Sequence, residues 1–506
     1  MDWMRGYLAD GGYTYGFYAE TTPARLRLAG LLHGQLLPKR QFRYLDAGCG
    51  QGVNLIMAAA CHPDSEFVGI DFMPEHIAHG RRLAAEAGLK NVTFIEGDFI
   101  ELSKNTAALG EFDYAVCHGI STWIGPDVKA GLFKLIGQVL KPGGVFYNSY
   151  NTLPGWGTMS AFQKMVLMNN KTMPARKAIE ATLAQFEALE QAKSRVFSTL
   201  PTLSQRLKNL RGKDPSYLVQ EYNNAYWNPV YVTDMISDMA AVKLQWLGTA
   251  TLTEIPEATL PEGLRTAMQA APTVAMREQL RDIGLDQSFR RDLYIKGQVA
   301  HWRDELASAR RELRVAVNEL AKLPEGEADF VFQGGAVSPQ GNRTYYLSIL
   351  DHVRAAPSGL SLGELQAHYP KLSMDTLLMS LSMLIHSGFL YYCPVEDQAV
   401  TSRTLTQAMV SAVLKGAPYK AVLMPRNTTV MGLNDTDWAL LDACLRELPQ
   451  PKWADHLLAC LKARGVSLAK KGVAVTDPAE VDTMLKRLVT EFAEGKLRQL
   501  KAFGAV

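Results

Sequence analysis

A glycine-rich loop is the segment of this sequence with the most specific chemistry. It runs from Asp46 through Gly48, Gly50 and Gly52, directly after an apolar segment and directly before a helical pattern. Glycines let the backbone approach a ligand without a Cβ in the way, and the helix N-terminus behind them favours an anionic group. The dinucleotide spacing G-x-G-x-x-G fails because Val53 stands at its sixth position. The acid that opens the loop suits an α-ammonium group, not a pyrophosphate.

Two further acids follow consecutive strand patterns. Asp71 ends the second, where a carboxylate can hold both ribose hydroxyls, and Asp98 after the third is placed for an adenine amino group. Any one of these acids could instead cap a helix. Three acids with this loop predict a site for S-adenosylmethionine (SAM). The predicted cofactor-binding residues are Tyr13, Asp46, Gly48, Cys49, Gly50, Asn54, Asp71, Phe72, Asp98, Phe99 and His118.

The acceptor side of such a site is expected where strands four and five end. Strand four runs into His118 and lacks the Asn/Asp-Pro-Pro-aromatic motif typical of enzymes that methylate adenine or glutamine. His118 could act as a general base, hold the cofactor, or be a hydrogen-bonded histidine at a strand end. Aromatic rings near the N-terminus could stabilise a cation or form a hydrophobic plug. The residues predicted to carry the chemistry are Tyr18, His118, Trp123, Tyr150 and Asn151.

These residues need a sheet whose carboxyl edge brings them together. Strands spaced by helices of this length are typical of βαβ units and a parallel sheet. Predicted strands are Phe42–Leu45, Phe67–Asp71, Val92–Ile95, Phe112–Cys117 and Val145–Ser149. The first predicted helix has Thr22 as its N-cap and ends at about Leu37. Further helices are predicted over Val53–Cys61, Pro74–Ala87 and Val128–Leu140, and a turn is predicted at Lys141–Gly144.

Beyond the fifth strand the pattern is helical to about Leu218 and then returns to the α/β type. We interpret the helical stretch as an insertion, after which the sheet resumes; the alternative is a separate α/β domain. The later predicted elements are helix Val232–Ala241, strands Leu244–Thr251 and Phe289–Ile295, and a charged helix His301–Leu323. Helices Tyr346–Arg354, Ser361–His368 and Met374–His386 and strand Phe389–Tyr392 follow in an order that resembles a winged helix.

The predicted fold is therefore α/β: a Rossmann-like, doubly wound class I methyltransferase sheet with a helical insertion and a winged-helix-like α+β C-terminal domain. The predicted domains are a SAM-binding core at 1–157, the insertion at 158–225, completion of the sheet at 226–298, a helical linker at 299–327 and the C-terminal domain at 328–506.

Composition excludes several classes of protein. Lys plus Arg is 53 and Asp plus Glu is 51, which gives no global reason to expect nucleic acid. No signal peptide and no membrane-length apolar run is visible, so we expect a cytoplasmic protein without membrane insertion. The six cysteines lack a C-x-x-C pair, which indicates neither disulfides nor zinc. His76 and His79 lack the H-E-x-x-H pattern, so we expect them to be solvated and predict no metal site.

Five motifs lie around and beyond these residues: His118-Gly119-x-x-x-Trp123, Ser149-Tyr150-Asn151-Thr152-Leu153-Pro154-Gly155-Trp156, Glu221-Tyr222-x-Asn224-x-x-Trp227-x-Pro229, Lys243-Leu244-x-Trp246-x-Gly248-x-Ala250 and Phe289-Arg290-Arg291-Asp292. They resemble the motifs of a bacterial family, the methyltransferases that carry a methyltransferase regulatory domain, whose best-known members are the rickettsial outer-membrane-protein lysine methyltransferases. The resemblance implies a helical middle region, a winged-helix-like C-terminal domain, protein lysine methylation and often a homodimer. Gln220 stands where many members have His.

Three functions remain open at this point. The first is a protein lysine methyltransferase whose insertion and C-terminal domain grip a protein substrate. The second is a small-molecule N- or O-methyltransferase that uses the insertion as a lid. The third is a SAM-sensing DNA-binding regulator, which needs a basic recognition helix. The candidate helix Met374–His386 carries no Lys or Arg, so the regulator is the weakest of the three.

Overall fold

The computed structural model describes residues 15–335, 337–356, 359–393, 402–470 and 473–506. They divide into two compact units, one built from residues 97–300 and 333–339 and the other from residues 15–96, 301–332 and 340–506. None of the described helices combines the length and the apolar composition needed to cross a bilayer.

The first five strands and five helices alternate along the chain. The strands are β1 (Arg43–Ala47), β2 (Glu66–Asp71), β3 (Val92–Glu96), β4 (Phe112–His118) and β5 (Leu140–Asn151). The helices are α1 (Pro23–Leu32), α2 (Val53–Cys61), α3 (Pro74–Glu86), α4 (Phe99–Leu102) and α5 (Pro126–Val139). Thr22 caps α1 as predicted, since its hydroxyl accepts a hydrogen bond from the backbone N–H of Arg25 at 3.3 Å. The helix ends earlier than predicted because Gly34 takes a positive φ of 75° just beyond it.

The helical insertion contains α6 (Ser160–Asn170), α7 (Ala175–Gln191), α8 (Arg195–Thr199), α9 (Pro201–Leu210) and α10 (Pro215–Tyr222). These helices enclose an apolar core of their own, which includes Phe162, Ile179, Phe186 and Leu203. The next elements are α11 (Val232–Ala241), β6 (Gln245–Thr249), α12 (Glu262–Gln269), α13 (Val274–Leu285) and β7 (Phe289–Ile295).

The seven strands form one sheet in the order β3-β2-β1-β4-β5-β7-β6. The pairs β1–β2, β2–β3 and β4–β5 are parallel, whereas β7 runs antiparallel to β5 and β6. The sheet therefore resumes after the helical insertion, as predicted. The turn predicted at Lys141–Gly144 is instead part of β5, where the register with β4 shifts between Phe112 and Tyr114.

The remaining strands are short: β8 (Arg314–Val317), β9 (Phe330–Val331), β10 (Gln340–Gly341), β11 (Leu360–Ser361), β12 (Leu390–Tyr392), β13 (Ala421–Met424), β14 (Thr429–Gly432), β15 (Ala469–Lys470) and β16 (Val473–Ala474). The helices are α14 (Arg303–Arg311), α15 (Arg343–Arg354), α16 (Leu362–His368), α17 (Met374–His386), α18 (Arg403–Leu414), α19 (Asp435–Leu445), α20 (Trp453–Ala463), α21 (Pro478–Glu491) and α22 (Arg498–Ala502), with a π-helical turn at Phe492–Leu497. The winged-helix assignment of this region stays a prediction.

The charged helix predicted over His301–Leu323 is wrong in its second half. Helix α14 ends at Arg311, and β8 follows as the central strand of a three-stranded antiparallel sheet with β11 and β12. Val315 and Val317 are β-branched, and Val315 and Ala316 are buried, so the segment favours a strand once β11 and β12 pair with it. The helical linker predicted at 299–327 therefore contains a strand.

Candidate active site

The glycine-rich loop requires its glycines for backbone conformation and for space. Gly48, Gly50 and Gly52 have positive φ angles of 84°, 51° and 74°, which side chains with a Cβ rarely adopt. The N–H of Gly48 donates to the carbonyl of Ile70 at 2.7 Å, which ties the loop to β2. A Cβ on Gly52 would lie 2.5 Å from ring carbon Cε1 of Phe94. The loop can therefore pass close to β3 only because position 52 lacks a side chain.

Asp71, at the end of β2, is fixed by donors on three sides. Its Oδ2 accepts from the N–H of Gly50 at 2.9 Å, and its Oδ1 accepts from the N–H of Met73 at 3.0 Å. His76 Nδ1 lies 3.2 Å from the same Oδ1, and His76 is buried. The expectation that His76 is solvated is therefore wrong: α3 begins directly after the strand, so its first turn places this side chain at the strand end.

Asp46 is the buried acid of the loop. It lies in β1 with 6% of its surface exposed, and burial, followed by the nearby charge of Asp71, raises its pKa to about 7. A cation that binds beside a buried carboxyl with a raised pKa stabilises the ionised form of that carboxyl. Its chemistry therefore fits the α-ammonium group of SAM, the role predicted from the sequence.

Asn54 anchors the segment that precedes α1. Its Oδ1 accepts from the N–H of Tyr18 at 3.0 Å, and its Nδ2 donates to Thr21 Oγ1 at 2.9 Å. The Tyr44 hydroxyl donates to the Thr21 carbonyl at 2.6 Å. Asn54 therefore holds the Tyr18 backbone against α2, and its direct contact with a cofactor stays a prediction. Tyr13 lies outside the described residues.

Cys49 and Phe72 flank the loop and the Asp71 carboxylate, and both are partly buried. Burial raises the pKa of the Cys49 thiol well above its usual range, with the charges of Asp46 and Asp71 adding to the effect. The thiol is therefore protonated and acts as a small apolar group. Cofactor contacts of Cys49 and Phe72 stay predictions.

His79 connects the glycine-rich loop to the C-terminal region. Its Nδ1 lies 2.7 Å from the carbonyl oxygen of Gln51, and its Nε2 lies 2.7 Å from the hydroxyl of Tyr419. A carbonyl only accepts, so Nδ1 carries a proton and donates to Gln51. Tyr15 packs edge-on against both rings. The expectation that His79 is solvated is therefore wrong, and no sequence signal identifies a partner that is 340 residues away.

Asp98 and Phe99 open α4. Oδ1 of Asp98 accepts from the backbone N–H groups of Ile100 at 2.7 Å and Glu101 at 3.3 Å, so the side chain caps the helix. Phe99 is buried. Asp98 is therefore a helix cap, one of the two interpretations that the sequence allowed. The contact of Asp98 with an adenine group stays a prediction.

His118 is held by two hydroxyl groups of the neighbouring strand. Its Nδ1 lies 3.1 Å from the Tyr147 hydroxyl and 3.1 Å from Ser149 Oγ, which also accepts from the N–H of Gly119 at 2.8 Å. The rings of His118 and Tyr147 stack with centroids 5.9 Å apart. Neither Tyr147 nor Ser149 is among the site residues predicted from the sequence. Their i, i+2 spacing on one face of β5, beside the end of β4, was the available signal.

The loop after β4 is joined to both β5 and the insertion. Thr122 Oγ1 accepts from the N–H of Asn151 at 3.3 Å, and the half-buried Trp123 accepts at its carbonyl from Asn224 Nδ2 at 3.1 Å. Gln163 Nε2 donates to the carbonyl of Asn224 at 3.1 Å. Two of the predicted pocket residues, Trp123 and Asn151, are therefore brought to one region, and Asn224 is a connecting residue that the prediction missed.

Tyr150 does not belong to that region. It is fully buried, and its hydroxyl donates to Asp292 at 2.6 Å. Arg290 donates to Asp292 at 2.8 Å and also pairs with Glu278 and Asp282. Burial, which outweighs the attraction of Arg290, raises the pKa of Asp282 to about 7. The predicted catalytic role of Tyr150 is therefore corrected: alternation along β5 turns it away from the face of Ser149 and Asn151 into a buried ionic network.

Two family models match the chain in succession. A model described as a methyltransferase domain matches residues 38–214, and a model described as a predicted methyltransferase regulatory domain matches residues 214–296. Together they span both the glycine-rich loop and the strands that complete the sheet.

Individual proteins extend the likeness over the whole length. The chain is 31% identical over 515 residues to the uncharacterized protein sll1526 of Synechocystis, with complete coverage of both chains. It is 33% identical over 156 residues to the uncharacterized protein RP028 of Rickettsia prowazekii, which is 31% of this chain and 61% of that protein.

Among solved structures, PKMT2 from Rickettsia typhi matches with a TM-score of 0.72 at 20% identity, covering 96% of this chain and 99% of that one. The same protein in complex with AdoHcy, the product that SAM leaves, matches with a TM-score of 0.71. The fold of PKMT2 and the AdoHcy bound to it are consistent with the glycine-rich loop and the acids described above. The chain belongs to the SAM-dependent methyltransferases that carry a methyltransferase regulatory domain.

Proposed function

We propose that this methyltransferase transfers methyl groups from SAM to lysine side chains of a protein substrate. The observation that carries the proposal is the likeness to the PKMT2 fold over 96% of the chain, which includes the insertion and the C-terminal region as well as the SAM-binding sheet. The motif string that resembles the lysine methyltransferases supports the same substrate class.

The cofactor supplies a methyl group that its sulfonium has already activated. Asp46 would hold the α-ammonium group and Asp71 the ribose hydroxyls, so these two acids fix the orientation of the cofactor. The lysine nitrogen then attacks in line: its lone pair forms the N–C bond while the C–S bond breaks. The task left to the protein is to align the partners and to exclude water.

A lysine acceptor must lose its proton before it attacks. Desolvation in an apolar pocket lowers the pKa of an ammonium group, and half-buried Trp123 and buried Asn151 border the region where we place the acceptor. His118 orients this region because Tyr147 and Ser149 fix its ring. When Nδ1 donates to Ser149, Nε2 offers a lone pair for the lysine proton; when Tyr147 donates to Nδ1, Nε2 is a donor that positions the acceptor.

Two variants separate chemistry from cofactor binding. We expect His118→Ala to reduce methyl transfer by about 100-fold or more, the usual contribution of a general base, with little change in SAM affinity. Tyr18→Phe, which keeps the backbone contact to Asn54, should act in the same direction. SAM affinity is measured by calorimetry and methyl transfer by product formation. An equal loss in both measurements would make the residue a cofactor ligand.

The test of the substrate class is transfer of labelled methyl from SAM into a host lysate, which is then split into macromolecular and small-molecule fractions. The matched blank is Asp46→Ala. Label in protein that resists mild base and is recovered as methyl-lysine supports the proposal. Label confined to the small-molecule fraction refutes it and favours a small-molecule methyltransferase that uses the insertion as a lid.

We also propose that the enzyme acts in the cytoplasm and that it forms a homodimer. We propose further that residues 328–506 include a winged-helix-like module for docking the substrate. The module's helix α17 is buried along most of its length, which suits a packing role better than DNA readout. Sedimentation of the purified chain tests the dimer.

A further inference from the structure

Three side chains with metal-binding atoms converge between two helices of the C-terminal region. They are Asp442 on α19 and His456 and Cys460 on α20, and their ligand atoms all lie within 4.8 Å of one another. His456 and Cys460 are four residues apart, so they share one face of their helix. The absence of a C-x-x-C pair concealed this group from sequence reasoning, because the third partner comes from a different helix.

One ring nitrogen of His456 contacts both of the other ligand atoms. His456 Nε2 lies 2.8 Å from Asp442 Oδ2 and 3.4 Å from Cys460 Sγ. A Cys–His–Asp catalytic triad would instead place the carboxylate on the other ring nitrogen, Nδ1. Here both partners contact the same ring nitrogen, so the three side chains do not form a triad but could be ligands of one metal ion.

Two of the three separations are close to those of a metal site, and the third, between the carboxylate oxygen and the sulfur, is within 4.8 Å. Zinc takes ligands at about 2.0–2.2 Å for N and O and about 2.3 Å for S, so the edges of its tetrahedron are about 3.3–3.6 Å long. The sulfur–nitrogen separation already falls in that range. The oxygen–nitrogen separation needs to open by about half an ångström, which a small change in side-chain rotation provides.

A cation already contacts the carboxylate. Arg446 Nε donates to Asp442 Oδ2 at 2.7 Å, and the Arg446 side chain is 62% exposed. Its guanidinium can therefore leave into solvent when a metal ion takes its place. Arg464, directly after α20, is paired with Asp435 on α19 at 2.8 Å, which holds the two helices together independently of the site.

We propose that Asp442, His456 and Cys460 bind a zinc ion that links α19 to α20. Thiolate and imidazole ligands with one carboxylate select zinc over calcium or magnesium, and three protein ligands leave a fourth position for water. The site lies in the C-terminal region and is independent of the methyl-transfer chemistry proposed above.

The test uses the full chain, freed of metal with a chelator and titrated with Co²⁺ as a spectroscopic substitute for zinc. We expect one equivalent to produce visible bands of a tetrahedral site and a near-ultraviolet thiolate-to-cobalt band. Both should disappear in Cys460→Ser. The matched control is Cys444→Ser, which removes a cysteine from α19 and should leave both bands unchanged.

Two further variants sharpen the result. His456→Gln should abolish the tetrahedral bands, and it serves in place of Cys460→Ser if that variant does not fold by circular dichroism. Arg446→Ala should tighten cobalt binding several-fold because it removes the competing cation. No thiolate-to-cobalt band in the wild type, or a band that persists in Cys460→Ser, overturns the proposal.

Discussion

Asp46 gives the SAM site a pH dependence that can be worked out from its burial. Its pKa is raised from 3.8 to about 7, by burial first and then by Asp71. The folded protein therefore binds this proton more tightly than the unfolded chain, and stability falls as the pH rises from about 4 to about 7. At about 1.36 kcal/mol for each pKa unit, the cost of ionising Asp46 without a bound cation reaches about 4 kcal/mol.

Binding of the SAM ammonium group relieves this cost. Below pH 7 the cofactor must expel the proton from Asp46, so we expect SAM affinity to rise about tenfold per pH unit up to about pH 7 and then to level off. Asp46→Asn cannot ionise. It should bind SAM with little pH dependence and, at about pH 8, about 10- to 100-fold more weakly, because a charge-assisted hydrogen bond is lost.

Calorimetric titration of SAM between about pH 5.5 and 8.5 measures the affinity, and urea unfolding of the free protein measures stability. In the absence of SAM, Asp46→Asn should be more stable than the wild type above pH 7, by up to about 4 kcal/mol, and similar near pH 4. A wild-type SAM affinity that stays flat from about pH 5.5 to 7, or an Asp46→Asn variant with the same slope as the wild type, would refute this role of Asp46.

Three further predictions concern the glycine-rich loop, the buried ionic network of Tyr150 and the contact between His79 and Tyr419. Gly52→Ala places a methyl group 2.5 Å from an aromatic ring carbon and should weaken SAM binding by at least about tenfold; Gly88→Ala, with a φ of 70° and open space, controls for backbone strain alone. Tyr150→Phe should lower the free energy of unfolding by about 1–3 kcal/mol and leave methyl transfer per folded molecule unchanged; lost activity without lost stability would contradict its buried role. Tyr419→Phe removes the partner of His79 and should weaken SAM binding about two- to tenfold; unchanged affinity would show that the loop does not depend on this contact.

Local sequence was sufficient for most of the elements and for the cofactor. A glycine is required wherever φ is positive near a crowded strand, and an acid at a strand end is visible in the chain as printed. Asp46, Gly52 and Asp71 could therefore be named from the sequence as the acids and a glycine of a predicted SAM site. The periodicity of short buried strands and the helices between them likewise predicts the sheet, because each depends on neighbours within one turn or one strand.

Pairings between distant residues could not be predicted in this way. The sequence predicts Tyr150 as an aromatic residue of the pocket because it does not show that β7 places Asp292 beside it. It likewise predicts His79 as exposed because it does not show the contact with Tyr419 in the C-terminal region. The sequence predicts a helix over Arg314–Val317 because the partners that stabilise a strand there lie in β11 and β12, far along the chain.

The sequence by itself thus determined that a SAM site exists and which acids and glycines form its loop, since these depend on backbone conformation and on charge carried locally. Only the tertiary structure decided which polar side chains support that loop, which are buried in ionic networks, and which meet at Asp442, His456 and Cys460. The physical reason is that burial and long-range hydrogen bonding depend on the packing of elements that are remote in sequence.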